Sequence, residues 1–327
     1  MSNDIIVLQK KNIHGNGEKM RDYLKNYFEE FNFDTADRVS LALAYERIIE
    51  CGVARERFLT LIGDYERDVK AITTERIKDV DAIAAKSGVH TYTVALLVIL
   101  CMSRAMSQRL TKLGMPKKII TQTLLDFKLK CDRSKKVHGI VGTDSFDWHT
   151  KFLQLTVFGI GRLQFELRQF PYEDYVKGDK CIKQGAPILA VHIPDDGTPL
   201  EEKYCNAAYR DAKKFFTSLL GVKDIPFMCN SWLLYPMNTE FLPPKSNIVK
   251  FMSKYDIFKV DYYRRDKIGA ILFMFGVKAD TPFIDLPENS TLQRAYKAHF
   301  LAGGRMGNGI GVFFLEEAEK KTPQKQQ

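Results

Sequence analysis

The spacing of apolar residues changes near residue 138, and this change constrains the fold more than any other feature. Before it, apolar residues recur at helical spacing. After it, short runs have the length and residue types of strands. A chain of 327 residues is long enough for two hydrophobic cores. The sequence therefore predicts a helical domain over residues 1–140, a mixed β-sheet domain with flanking helices over 141–318, and a polar tail over 319–327.

The first domain contains several helix-type segments. One begins at the capping residues Asp34 or Thr35 and stops at Gly52. The most apolar run, residues 92–102, is too short to span a bilayer, so a buried core helix is expected over about residues 91–113. No membrane partner is expected.

The second domain alternates strands with helices. In residues 161–170, Leu163, Phe165 and Leu167 alternate with polar residues, which is typical of a strand with one buried face. Helices are expected at about residues 200–219, 246–254 and 291–301. The further strand-type runs are residues 151–158, 187–193, 226–234, 256–265, 268–277 and 309–315.

The net charge is +9, but 40 acidic residues accompany the 49 basic ones, so the surface is mixed. Such a surface permits anionic ligands without requiring them. A basic run at Lys128, Lys130, Arg133, Lys135 and Lys136 has few aromatic neighbours, so base stacking is unsupported. We interpret it as a solvated helix end and linker and expect no nucleic-acid partner.

The six cysteines contain no C-x-x-C pair, so their spacing is unlike that of a zinc site and no metal is expected. The opening residues, MSNDIIVLQKKN, are unlike a signal peptide. We therefore expect free thiols and a reducing cytoplasm.

Residues 186–216 combine a strand, a tight turn and a helix start, which are the parts of a phosphate-binding element. The turn contains Asp195 and Asp196, whose charge is wrong for a phosphate. Thr198 and Glu201 form a capping-box pattern with Pro199 at the first helical position, which would occupy donors that a phosphate needs.

Four short motifs resemble a bacterial two-domain acyltransferase-like family. They are GRLQFE at residues 161–166, HIP at 192–194 with Gly197, SWLL-x-P at 231–236 and SNI at 246–248. Members join a helical N-acyltransferase N-terminal domain to a GNAT-like C-terminal domain, and the resemblance covers about residues 39–313. Asn230 stands where the family often has histidine, and the turn after HIP is acidic instead of small and neutral.

The resemblance implies that two parallel strands, residues 187–193 and 226–234, hold an acyl-CoA thioester between them. Coenzyme A or acyl-CoA would then be the co-substrate. The residues implied to bind it are Ile193, Gly197, Thr198, Cys229 and Asn230.

The candidate catalytic residues lie at the ends of these strands. His192 would act as the base toward an acceptor, with Glu166 as a rival base. Ser231 and Tyr235 would support the oxyanion or the thiolate leaving group. Alternatively, His192 is hydrogen-bonded within the core, Glu166 is a solvated strand residue, and the Ser231 region only fixes a strand end.

A glycine-dense segment, residues 305–311, follows a helix and precedes a strand, which is the reverse of a phosphate-loop order. It is interpreted as a helix end, although Arg305 could contact an anion.

Two functions remain open from the sequence. The first is transfer of an acyl group from an acyl-CoA-type thioester to a small amine or hydroxyl acceptor. The alternative is a non-catalytic GNAT-like module that binds a small molecule or peptide and has lost coenzyme A binding. An open gap between the two parallel strands favours the enzyme. The oligomeric state is not predicted.

Overall fold

A computed structural model of the chain describes residues 18–264 and 268–315. These residues form two compact units. Unit 1 contains the chain up to Gly159 together with Pro194–Asp196 and Ile271–Lys278. Unit 2 contains Ile160–Ile193, Gly197–Ala270 and the chain from Ala279 onward. The predicted polar tail at residues 319–327 lies outside the described residues.

Unit 1 is helical, as predicted. Its helices are α1 (described from residue 18 to 30), α2 (Thr35–Glu50), α3 (Gly52–Arg67), α4 (Ile77–Ser87), α5 (Thr91–Lys112), α6 (Lys117–His138) and α7 (Phe146–Leu153).

Helix α5 is the core of unit 1. It is long and apolar enough to cross a membrane by composition, but 78% of its most apolar window is buried within the protein. The prediction of a buried core helix is therefore confirmed. The Asp34 side chain caps α2 by accepting a hydrogen bond from the Asp37 N–H, as its residue type indicates. Gly52 begins α3 directly after α2 ends.

Unit 2 is built on a six-stranded mixed sheet. Its strands, in the spatial order β1-β2-β5-β6-β8-β7, are β1 (Val157–Ile160), β2 (Leu163–Gln169), β5 (Pro187–His192), β6 (Phe227–Ser231), β8 (Gly307–Phe313) and β7 (Asp256–Tyr262). A separate hairpin contains β3 (Tyr175–Lys177) and β4 (Lys180–Ile182). Only β5 and β6 run parallel among the strand pairs whose register is described.

Helices connect these strands. They are α8 (Glu202–Leu220), α9 (Asn238–Phe241), α10 (Asn247–Met252), α11 (Ala270–Phe275) and α12 (Thr291–Leu301). One face of the sheet is covered by α8, whose Tyr209 ring meets the rings of Phe165, Phe227 and Phe313 at centroid distances of 6.0, 5.1 and 4.8 Å. We call this the α8 face.

Two predicted strands are helical. Residues 151–153 complete α7, in which Phe146, His149, Thr150 and Leu153 are buried at helical spacing, so β1 begins only at Val157. Residues 270–275 form α11, although residues 268–277 had been predicted as a strand. Short apolar runs without polar alternation fit either structure, and here the helical packing prevails.

The prediction that the basic run is a solvated helix end and linker holds for Lys135 and Lys136, which are exposed in the last turn of α6, but not for the rest of the run. These residues belong to α6, and Lys130 and Arg133 are buried. Each is paired with an acid of unit 1: Lys130 Nζ with Asp126 at 3.3 Å, and Arg133 Nη2 with Asp144 at 2.9 Å. Their charges are therefore neutralised internally.

Candidate functional site

The candidate site lies where the parallel strands β5 and β6 end. Their register comprises Leu189 with Phe227 and Ala190 with Met228. Beyond these pairs, β5 continues to His192 and β6 to Ser231. Among the described residues, the pairing given for β5 with β6 ends at Ala190 and Met228. We call the region beyond these pairs, where the two strands end, the β5–β6 gap.

A backbone donor is directed toward this gap. The Leu189 N–H donates to the Pro226 carbonyl at 3.0 Å, on the β6 side of β5. Because donors alternate between the two sides of a strand, an extended backbone that continued past His192 would direct the N–H of Ile193 to the same side. Ile193 follows the end of β5, past the paired residues.

Glu166 and His192 form a hydrogen-bonded pair beside the gap. In the antiparallel register of β2 and β5, Gln164 lies opposite His192 and Glu166 lies opposite Ala190. Both side chains therefore project from the same face, which we call the dyad face. Glu166 Oε2 lies 2.9 Å from His192 Nε2, and the two side chains are 10% and 30% exposed.

This geometry allows different chemical roles for two residues that the sequence left as rivals. A carboxylate can only accept a hydrogen bond, so His192 Nε2 carries the proton in this pair. The lone pair then resides on Nδ1, and the carboxylate stabilises the ring when Nδ1 takes up a proton. The arrangement is that of a general base and the group that orients it.

The other predicted site residues on β6 are divided between the dyad face and the α8 face. Asn230 lies opposite Ile310, on the dyad face, and is exposed. Cys229 and Ser231 alternate with it and lie on the α8 face. Cys229 is fully buried, and burial raises the pKa of its thiol, so the sulfur is a neutral packing group.

Ser231 and Tyr235 make structural hydrogen bonds at the end of β6. The Ser231 hydroxyl accepts from the Leu233 N–H at 3.2 Å and caps a 3₁₀ turn. The Tyr235 hydroxyl donates to the Arg305 carbonyl at 3.0 Å, and burial raises the pKa of this phenol. Both residues fix the chain where β6 ends.

The turn after β5 differs from its predicted form. Helix α8 begins at Glu202, and its N-cap, Glu201, makes no side-chain capping bond, so the predicted capping box is not formed. Gly197 has a φ of 71°, which favours glycine. Thr198 is exposed, and its carbonyl accepts from Arg162 Nη2 at 2.9 Å. The helix thus begins after Glu201 and not, as predicted, directly after Thr198.

The acidic residues at the start of α8 are partly compensated. Glu201 pairs with Lys203 at 3.0 Å, and Glu202 pairs with Lys254 at 3.0 Å. The second lysine is distant in sequence, so only the fold reveals this pair.

Sequence reasoning missed the roles of Gln164 on β2 and of Arg162 in the turn just before it. Gln164 is buried on the dyad face opposite His192, and Arg162 holds the turn after β5 through its carbonyls. The alternating sequence pattern indicated that both residues are on the polar side of the segment. It did not indicate that β5 and the turn after it are their neighbours.

No group of three or more histidine, cysteine or acidic side chains that could hold a metal occurs in residues 18–264 or 268–315. A cavity of about 530 Å³ opens beyond the end of β8, at the end of the strands opposite the candidate site. Its lining residues include Lys213, Asp224 and Leu315. Lys213 there pairs with Asp224 at 2.9 Å and donates to the Leu315 carbonyl at 2.7 Å. This cavity is separate from the dyad.

Two family models match adjacent parts of the chain. Residues 22–155 match the N-acyltransferase N-terminal domain, and residues 157–313 match the GNAT-like C-terminal domain. A comparison with proteins of curated function gives no match.

Solved structures share the fold over most of the chain. An acyltransferase mutant in complex with octanoyl-CoA is 21% identical, with a TM-score of 0.71 and coverage of 90% of this chain and 88% of that one. An acyltransferase in complex with decanoyl-CoA and teicoplanin is 21% identical, with a TM-score of 0.68 and coverage of 89% and 87%. An acyltransferase in complex with decanoyl-CoA is 22% identical, with the same TM-score and coverage.

Proposed function

We propose, because the chain belongs to the family that joins an N-acyltransferase N-terminal domain to a GNAT-like C-terminal domain, that it transfers an acyl group from acyl-CoA to an amine or hydroxyl acceptor. The observation that carries this proposal is the β5–β6 gap with the Glu166–His192 pair beside it. A gap of this kind gives a thioester access to backbone donors, which a fully paired sheet would not.

The proposed donor is acyl-CoA, and the proposed acceptor is a small molecule. Structures that share this fold contain octanoyl-CoA or decanoyl-CoA, and one also contains teicoplanin. These ligands belong to those proteins, and they support the donor class for this chain. The catalytic role is proposed for the GNAT-like domain that the sequence predicts at residues 141–318. All six cysteines are free thiols, which is consistent with the proposed cytoplasmic location.

In the proposed reaction, His192 Nδ1 removes a proton from the acceptor amine as its nitrogen attacks the thioester carbonyl carbon. The new carbon–nitrogen bond replaces the carbon–sulfur bond, and the thiolate leaves and is protonated. Glu166 holds the imidazole in the required tautomer and stabilises its cationic form. The Ile193 N–H donates to the carbonyl oxygen as negative charge develops on it. His192 takes one proton from the acceptor and the thiolate gains one proton, so the reaction is balanced in protons.

The remaining predicted residues have supporting parts in this proposal. Ser231 and Tyr235 fix the end of β6, and Asn230 borders the gap on the dyad face. Gly197 and Thr198 shape the turn between β5 and α8. The buried Cys229 side chain packs on the α8 face of β6.

One observation favours the binding-module alternative: Asp195 and Asp196 follow β5, next to Gly197 and Thr198, which the family resemblance implies as coenzyme A-binding residues. Each carboxylate would oppose a nearby phosphate by about 1 kcal/mol. An assay of thiol release from octanoyl-CoA in the presence of a panel of primary amines and alcohols separates the two functions. Acceptor-dependent thiol release and an acylated product support the enzyme. No binding of octanoyl-CoA and no product with any acceptor supports the binding module, which is defined by its loss of coenzyme A binding.

A further inference from the structure

Arg305 is held at the same sheet edge as the candidate site. Strand β8 is antiparallel to β6, and β7 is antiparallel to β8. The start of β8 and the end of β7, at Gly307 and Tyr262, therefore lie at the edge where β5 and β6 end. From β5 to β7 are three strand spacings, which is about 14 Å.

The backbone of Arg305 is fixed by two side chains. Its carbonyl accepts from the Tyr235 hydroxyl at 3.0 Å and lies 2.8 Å from His299 Nε2. The preceding Gly304 allows this approach, because a Cβ there would lie 2.2 Å from the His299 ring. These contacts fix the conformation of the segment before β8.

The Arg305 guanidinium is equally constrained, and it has no acidic partner within the described parts of the chain. Its Cζ lies 4.2 Å from the centroid of the Tyr262 ring, which is close cation–π stacking. Tyr262 lies two residues after Val260 and so shares its face; Val260 lies opposite Gly309, and Gly309 lies opposite Ser231. The ring and the stacked cation therefore lie on the α8 face.

This placement indicates which substrate group Arg305 contacts. The reacting amine must reach His192 on the dyad face, so a cation on the other face meets a part of the substrate remote from the reaction. In acyl-CoA, the phosphates are separated from the thioester by the pantetheine arm. The turn after β5 offers them Asp195 and Asp196, and Arg162 is engaged by backbone carbonyls.

We propose that Arg305, stacked on Tyr262, binds a phosphate of the coenzyme A donor. This inference rests on the proposed acyl-CoA-dependent function and names a donor-recognition residue for it. A planar guanidinium matches phosphate geometry, and stacking on a tyrosine ring reduces the freedom that would be lost on binding.

The test compares dissociation constants for coenzyme A and for pantetheine, which lacks phosphate, at 0.15 M salt. Arg305→Gln should weaken coenzyme A binding about tenfold, the loss of one charge-assisted contact, and leave pantetheine binding within about twofold. Arg305→Lys should lie between, since an ammonium keeps the charge but not the planar fork. Arg210→Gln is the matched control, because Arg210 is an exposed arginine of the same unit, on α8, and its loss should change neither constant.

Coenzyme A binding by Arg305→Gln within twofold of wild type would overturn the inference while leaving the proposed function standing. Equal weakening of pantetheine and coenzyme A would also overturn it, because the effect would then be structural. If wild type binds neither compound, the proposed function itself fails.

Discussion

Glu166 and His192 meet across two neighbouring antiparallel strands, with the carboxylate oxygen 2.9 Å from the imidazole Nε2. The pair stands beside the point where the parallel strands β5 and β6 cease to pair. In the mechanism that we propose, this contact makes His192 the base and Glu166 the group that orients it.

His192→Ala should reduce acyl transfer by about 100-fold or more, because it removes the proposed proton acceptor. Donor binding should be retained, since the gap is formed by backbone. Single-turnover acyl transfer and octanoyl-CoA titration measure the two effects. His90→Asn is the control: His90 is exposed and caps α5, and asparagine can also cap. Turnover unchanged in His192→Ala would remove this residue from the mechanism.

Glu166→Gln should lower kcat about 10- to 100-fold with little change in the KM for the donor, because the amide no longer stabilises a cationic ring. Steady-state kinetics separate the two constants. Glu166→Asp should recover part of kcat, since it restores a carboxylate. A rise in KM with kcat unchanged would instead place Glu166 in substrate binding.

Gly309 lies opposite Ser231 and packs against the backbone of Leu234. A Cβ on Gly309 would lie 2.0 Å from the Leu234 carbonyl oxygen, and backbone cannot move aside easily. Gly309→Ala should therefore cost about 2–3 kcal/mol of folding free energy. Gly52→Ala is the control, because a Cβ there meets nothing within 4 Å. Chemical denaturation of the two variants tests this, and equal stability would contradict the packing described.

His149 should make stability depend on pH. Its side chain is fully buried in unit 1, and burial lowers the pKa of its imidazole from the ordinary 6.5, although Asp126 opposes this. Below pH 6.5 the unfolded chain binds a proton that the folded chain does not, so the free energy of unfolding falls as pH drops. The contribution is up to about 1.4 kcal/mol per pH unit until the folded-state pKa is reached.

Denaturation of wild type and His149→Phe between about pH 7 and pH 5 measures this dependence. The variant should lose part of the slope. An identical slope in wild type and His149→Phe would show that the loss of stability arises elsewhere.

The sequence predicted elements well wherever polar and apolar residues alternate, as in β2, or recur at helical spacing, as in α5. It failed in residues 268–277, where a nearly continuous apolar run fits a strand or a buried helix equally. The cap of α8 was misplaced because Thr198 and Glu201 satisfy the pattern while Arg162 holds the intervening carbonyls.

The candidate site was predictable as a set of residues but not as an arrangement. His192 and Glu166 were both named, yet their contact depends on the register of β2 with β5, which lie far apart in sequence. Similarly, Asn230 and Ser231 lie on opposite faces of the sheet because side chains alternate along a strand. Which face each one occupies is known only once β6 is placed in the sheet. The roles of Lys254 and Arg305 depend on residues that are remote in the chain.

The most direct test of the central claim is a thermal-shift titration of the full chain with coenzyme A, acetyl-CoA and octanoyl-CoA. A ligand that binds the folded state adds about 2.7 kcal/mol of stability at 100 times its dissociation constant. We expect a saturable rise in Tm with acyl-CoA, which would establish the donor class. No shift with any of the three compounds would contradict acyl-CoA binding at the β5–β6 gap and leave a binding module for other ligands.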